Sequence, residues 1–361
     1  MSFAEIYKVP FYLDVIRVLL LTLIAFVVAM LWTPLLTNFL YKYGVRTKIK
    51  EKSVDGKSAP IYHSLHKEKA GTPVMGGLLV WVTVLVLAIF FNLLGTWFGG
   101  YIKILDFLRR SQTWLPLFAL VSTGVLGMID DIKSARGTGT NKGGGMRFLY
   151  RFWWLMLIAI LGGLWFYFKL NFSSIHVPGL GDFEIGWWYV PFFVFVILAT
   201  AISSNETDGL DGLNGGVLLT AFSVYGVLAF IQHRVDLAAF CGVIVGSLMA
   251  FLWFNVHPAR FFMGDTGAIS LGTALGVVAL LTNSVFVLPI ICLIYVIESL
   301  SAAIQLTSKR LFGKKVFLSA PFHHHLQALG WPESKVVMRF WIFSGATAVL
   351  GLIIGILGMG K

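Results

Sequence analysis

Apolar runs of about 20 residues recur along this chain, separated by short polar stretches. Hydropathy places them near 15–40, 74–95, 114–130, 148–168, 188–204, 213–232, 237–257, 268–283, 286–306 and 338–358. Runs of this length suit helices crossing a hydrocarbon core of about 30 Å. Lipid offers no water to backbone amides, so each run must satisfy its own hydrogen bonds as a helix. The pattern predicts an all-α integral membrane protein of about ten transmembrane helices, forming one membrane domain over residues 1–361. The pair 268–306 is the weakest prediction, because only a short turn around Asn283 and Ser284 divides it. The first run is too long for a signal-peptide core and has no evident cleavage site, so it reads as a retained helix. Pro178, Gly179 and Gly181 suggest a short hairpin within 169–187, and Gly143, Gly144 and Gly145 read as a flexible joint.

Composition agrees with the pattern. The chain is 57% hydrophobic and only 12% charged, which a soluble domain would not be. Its net charge of +11 is spread over the loops. That dispersion disfavours nucleic acid as a partner and points to an anionic lipid bilayer and anionic substrates. The loops 41–73, 131–147, 205–212, 258–267 and 307–337, with Arg339, hold 19 Lys and Arg, against eight on the other side. The richer side should be cytoplasmic, with both termini periplasmic. Cys241 and Cys292 sit inside apolar runs and offer neither a disulfide framework nor a zinc site.

The acids are less evenly spread. Asp130, Asp131, Asp208, Asp211 and Asp265 all fall at the inner ends of predicted spans, in three segments. A carboxylate at a membrane boundary is costly unless paired, wet or metal-bound, so five on one face suggest one site. The adjacent Asp130 and Asp131 repel each other, which suits a cation or a base of raised pKa, though a solvated helix end is the plainer alternative. Asp208 and Asp211 are three apart in Asn205-Glu-Thr-Asp-Gly-Leu-Asp-Gly-Leu213, so a helical turn would put them on one face. Asp265 stands where helix N-terminal amides favour negative charge, and a simple cap competes with a metal ligand there.

Two further segments add phosphate chemistry. Lys69-Ala-Gly-Thr-Pro-Val-Met-Gly-Gly77 reads as a tight turn exposing backbone amides beside a lysine, without Walker A spacing. His323, His324 and His325 cannot all face one metal on a regular helix, but they can line a polar pocket for phosphate oxygens. Oxygen ligands favour Mg²⁺, with Mn²⁺ as a substitute, over zinc. Together these groups point to phosphoryl transfer between a soluble donor and a lipid acceptor.

These segments resemble the polyprenyl-phosphate N-acetylhexosamine-1-phosphate transferase superfamily: Asp130-Asp131, Asn205 to Leu213, Phe262-Met-Gly-Asp265 and Lys69-x-Gly-Thr-Pro. Ala320-Pro-Phe-His-His-His325, Gly330-Trp-Pro-Glu333, Val336-Val-Met-Arg-Phe-Trp341 and Phe254-Asn-x-x-Pro-Ala259 are similar to the phospho-MurNAc-pentapeptide translocase branch. The resemblance implies ten spans in a bacterial inner membrane and transfer from UDP-MurNAc-pentapeptide to undecaprenyl phosphate, giving lipid I and UMP. It implies Mg²⁺ held by Asp265, with Asp130 proposed to deprotonate the lipid phosphate and Asp131 beside it. It places Lys69, Asn205, Asp208, Asp211 and Asn255 in the nucleotide pocket, Phe262 on the uracil, and Gln305 with the three histidines beside the donor. It is compatible with a homodimer. Val74 departs from the threonine usual there, and Asn141 to Arg147 departs from the usual Gly-Leu-x-x-Arg pattern.

Direct attack by the lipid phosphate is the favoured route, with a phospho-aspartyl intermediate as the alternative. Two other functions share the acids. A UDP-GlcNAc transferase would have the same motifs, but the histidine segment argues against it. A transporter would place its acids near mid-membrane, often in repeated halves, and neither feature is present.

Overall fold

The computed structural model describes residues 11–46, 69, 71–108, 111–138 and 145–359. The basic stretch 47–68 and the glycines Gly143 and Gly144 lie outside these residues. All ten apolar runs are helical. They are α1 (Phe11–Lys42), α2 (Leu78–Phe98), α3 (Ser111–Arg136), α4 (Phe148–Lys169), α5 (Tyr189–Thr207), α6 (Leu213–Ile231), α7 (Val235–Asn255), α8 (Asp265–Leu281), the pair α9 (Leu288–Ile291) and α10 (Leu293–Phe312), and, after the short α11 (Phe322–Ala328), α12 (Glu333–Gly358). The protein is an all-α integral membrane protein.

Of the ten or so expected spans, eight qualify by length and composition among the described residues, or nine if the bent pair is one span. α8 has 17 residues, about 25 Å at helical rise, which is short for a full span. The ninth run is broken at Cys292, where the chain bends by 79° between Val285–Ile291 and α10. The predicted hairpin is present: Ser174–Val177 (β1) pairs antiparallel with Gly181–Glu184 (β2).

α8 is the axis of the fold. Every residue from Thr266 to Leu281 is buried, with α3 and α5 packed along it. Small residues make that closeness feasible. A Cβ on Gly272 would stand 2.6 Å from Thr200 O, and one on Gly127 would stand 2.3 Å from Asp265 O. Without a hydrophobic drive between helices in lipid, such backbone approach carries much of the packing. α1 packs on α7, α7 on α6 and α12 on α6. α1 and α4 turn most of their surface outward, with Leu19, Leu31, Trp153 and Trp154 exposed.

Candidate active site

The close packing of α3 on α8 decides where the acids meet. Asp130 and Asp131 do not end their helix, as the sequence suggested, because α3 runs on to Arg136. Both are buried. Asp131 reaches across to the start of α8, where its carboxylate accepts the N–H groups of Asp265 at 3.2 Å and Thr266 at 3.0 Å. The residue before α8 is Gly264, which has no side chain to cap it, so Asp131 supplies the cap from another helix. Gly264 has φ +73°, and a Cβ there would lie 2.6 Å from Asp131 Oδ2. Glycine is required at that position on both counts.

Asp130 faces the other way. It accepts the Met146 N–H at 2.5 Å and the Arg151 guanidinium at 2.9 Å. The same Arg151 nitrogen also pairs with Asp265. The second oxygen of Asp265 accepts the Asn205 amide at 2.6 Å. Thus α3, α4, α5 and α8 contribute to one knot, in which Asp130 and Asp265 share one cationic nitrogen.

The turn between α5 and α6 carries the remaining acids. Asp208 and Asp211 do not share a helical face, because α5 ends at Thr207 and α6 begins at Leu213. Asp208 accepts the Gly264 N–H at 3.1 Å. Burial, with the negative charge of Asp265 nearby, pushes its carboxyl up to about 7, against the Gly264 N–H and Lys69. Asp211 goes the opposite way. Its burial would raise it, but Lys69 at 2.7 Å, with the Ala259 N–H and His257, holds it below the usual carboxylate range. Lys69 also pairs with Glu333 at 2.5 Å and lies 5.6 Å from the centre of the Phe262 ring.

Residues 113–283 match the family described as Glycosyl transferase family 4. Curated relatives named phospho-N-acetylmuramoyl-pentapeptide-transferase match far more of the chain. The protein from Chloroflexus aurantiacus is 36% identical, covering 94% of this chain and 89% of its own length. That from Geobacillus thermodenitrificans is 34% identical over 92% and 95%, and that from Levilactobacillus brevis 39% over 80% and 85%. This chain belongs to the phospho-N-acetylmuramoyl-pentapeptide-transferase family.

Within this transferase fold, several predicted contact residues are engaged internally. Asn255 accepts the Gly212 N–H at 2.9 Å and donates to Phe261 O at 2.8 Å, tying the Asp208–Gly212 turn to the loop before α8. Gln305 accepts the Val316 and Phe317 N–H groups and donates to Phe317 O, which pins the loop after α10. The amides of Gly76 and Gly77 are not open to an anion, contrary to the expectation for that turn. They donate to Phe262 O and Met263 O at 2.7 and 2.9 Å. His323 and His324 are buried on α11, and His325 stacks edge-on to Phe317.

Four groups at the site escaped the sequence reading. Arg151 lies inside a predicted span, where an ionisable residue is a functional candidate by position alone; Glu298 carried the same signal. His257 and Glu333 sit in motifs quoted for the resemblance but had no assigned role. Asp211, His257 and Glu333 present ligand atoms within 4.8 Å of one another. Asp211 and Glu333 already hold the Lys69 ammonium, so an ion there would have to displace it. The Asp130–Asp265 pair is occupied in the same way, by the Arg151 guanidinium, so an ion at either position would have to displace a cation. Two carboxylates from different helices converge on one cationic nitrogen of Arg151, and hard oxygen donors are the ligands Mg²⁺ prefers.

Proposed function

We propose that this chain is a multi-pass enzyme of the bacterial cytoplasmic membrane that transfers phospho-MurNAc-pentapeptide from UDP-MurNAc-pentapeptide to undecaprenyl phosphate, releasing UMP and forming lipid I. The observation that carries this is the meeting of Asp130, Asp208 and Asp265 from three segments at one end of a membrane bundle, in a chain whose relatives are named phospho-N-acetylmuramoyl-pentapeptide-transferase. The basic loops argue that this end faces the cytoplasm, where the soluble donor is, with both termini outside.

An oxygen of the lipid phosphate forms a bond to the donor phosphorus that bears the sugar. The bond from that phosphorus to the UMP oxygen breaks, and UMP keeps the electron pair. The lipid phosphate is largely ionised at neutral pH, with a second pKa of about 6 for such esters, so little proton removal is needed. Asp130 takes the remaining proton, and Arg151 holds Asp130 and Asp265 at the approach to the two phosphates. Lys69, Asp208 and Asp211 bind and orient the donor, with the Phe262 ring beside Lys69 available to stack on the base. Asp265, with Asp130 beside it, would hold Mg²⁺, which when bound would supply positive charge to the leaving UMP phosphate. Positioning two anions against each other is the main task, and a site with cationic groups on both sides is suited to it.

The test supplies purified protein in detergent with undecaprenyl phosphate, Mg²⁺ and either radiolabelled UDP-MurNAc-pentapeptide or radiolabelled UDP-GlcNAc. A lipid-soluble product from the first donor alone is expected. Product from UDP-GlcNAc alone would overturn the donor assignment. Reporter fusions after Lys361 and within 41–73 test the orientation: the first should read periplasm, the second cytoplasm.

A further inference from the structure

Beyond the acid knot, one carboxylate is sealed completely inside the protein. Glu298, on the first half of α10, has 0% exposure. Its oxygens accept the His323 backbone N–H at 3.1 and 3.3 Å and pair with His323 Nδ1 at 2.9 Å. His323 is equally buried, and its ring is hydrogen-bonded to the Glu298 carboxylate. A carboxylate accepts hydrogen bonds, so Nδ1 carries the hydrogen and the orientation of the ring is set.

Nε2 is then the ring's remaining polar atom. It is buried and has no hydrogen-bond partner among the described residues. It presses on Gly209, where an added Cβ would stand only 2.2 Å away. Gly209 lies between Asp208 and Asp211, whose carboxylates hold the Gly264 amide and Lys69. The ring is therefore anchored at one edge by a buried charge and bears at the other edge on the turn that carries two site acids. A buried nitrogen left unpaired is costly, and native structures retain such groups where something else requires them.

We propose that Glu298 is a positioning residue of the donor site: by pinning His323 it sets the Asp208–Gly212 turn, and the unpaired Nε2 accepts a hydrogen bond from a hydroxyl of the bound donor. The inference rests on the donor reading given above. Glu298 itself touches no substrate. It acts through the ring, and Gly209 is the residue that lets the ring come close.

The experiment compares Glu298→Gln, His323→Asn and their double variant. It reads UDP affinity by calorimetry, KM for donor and for lipid, and thermal stability in detergent. Glu298→Gln should weaken UDP binding and raise donor KM about tenfold, the scale of one hydrogen bond to a charged partner, while lipid KM stays within about twofold. The double variant should be no worse than the worse single, because the pair acts as one unit. Glu298→Asp should recover part of the loss. Unchanged UDP affinity and donor KM in Glu298→Gln, even with a lowered Tm, would overturn the proposal, as would additive losses in the double variant. Should Glu298→Gln fail to fold, Gly209→Ala pushes on the same ring from the other side. It should show the same selective donor defect, and a normal donor KM would be equally fatal. Wild-type protein that binds UDP with this coupling but makes no lipid product from UDP-MurNAc-pentapeptide refutes the proposed reaction and leaves the positioning role standing.

Discussion

The carboxylate of Asp131 on α3 accepts the backbone N–H of Asp265 on α8 at 3.2 Å. One member of the adjacent pair thus organises the helix end that presents the other site acid, while Asp130 faces Arg151. The two neighbours have separate tasks because successive residues on a helix point about 100° apart.

That division predicts different costs. Asp131→Asn leaves one acceptor where two N–H groups need one each, and it removes a charge from the α8 N-terminus. It should lose about 1–2 kcal/mol of stability, the range for a lost cap, along with activity. Asp130→Asn should lose activity with a smaller fall in Tm. Thermal unfolding in detergent separates them, and an equal fall in both would remove the capping role.

Metal dependence follows from the convergence of Asp130 and Asp265 on one cation. Activity should vanish in EDTA and return with Mg²⁺ or Mn²⁺. Asp265→Asn should lose most activity while the protein remains folded. Full activity in chelator would sink the metal reading.

Asp130 and Asp211 should fail in different ways. Asp130→Asn should lower kcat more than it raises donor KM, because its proposed role is on the reacting phosphate. Asp211→Asn releases Lys69 and His257 and should chiefly weaken donor binding. If Asp130 accepts the lipid phosphate's last proton, its loss should matter less at high pH, where that phosphate is already ionised. The check is a pH profile at saturating substrates; a constant defect from about pH 6 to 9 would leave Asp130 as a metal or positioning residue only. A phospho-enzyme trapped without acceptor would count against direct attack.

Asp208 gives stability a pH dependence. Its folded-state carboxyl sits near 7 against an ordinary 3.8, through burial and then Asp265. Between those values the folded state binds more protons than the unfolded chain, so this group's contribution to stability falls as pH rises through that window. The Tm of wild type should decline more steeply from pH 5 to 8 than that of Asp208→Asn, measured without divalent cation. Parallel curves would contradict the raised value.

The linear order of residues was enough to place the core of each apolar span, though not the short α11, because an apolar run of span length in lipid has one way to satisfy its backbone. It also marked the hairpin at Pro178 and Gly179, and the acidic segments, since charge at a membrane edge is conspicuous. It did not reveal that α8 is a short, wholly buried axis, because hydropathy reads lipid and protein surroundings alike. Nor did it show the bend at Cys292, which has no proline or glycine beside it. The partners of the acids came only with the fold. Arg151 is 21 residues from Asp130 and 114 from Asp265, and His323 is 25 from Glu298. Such pairings depend on which helices pack together and how closely, and the glycines at 127, 209 and 264 set that closeness by what they lack. The chain itself announced a membrane transferase rich in carboxylates; tertiary packing decided which carboxylate caps a helix, which shares a cation, and which lies under a buried histidine's brace.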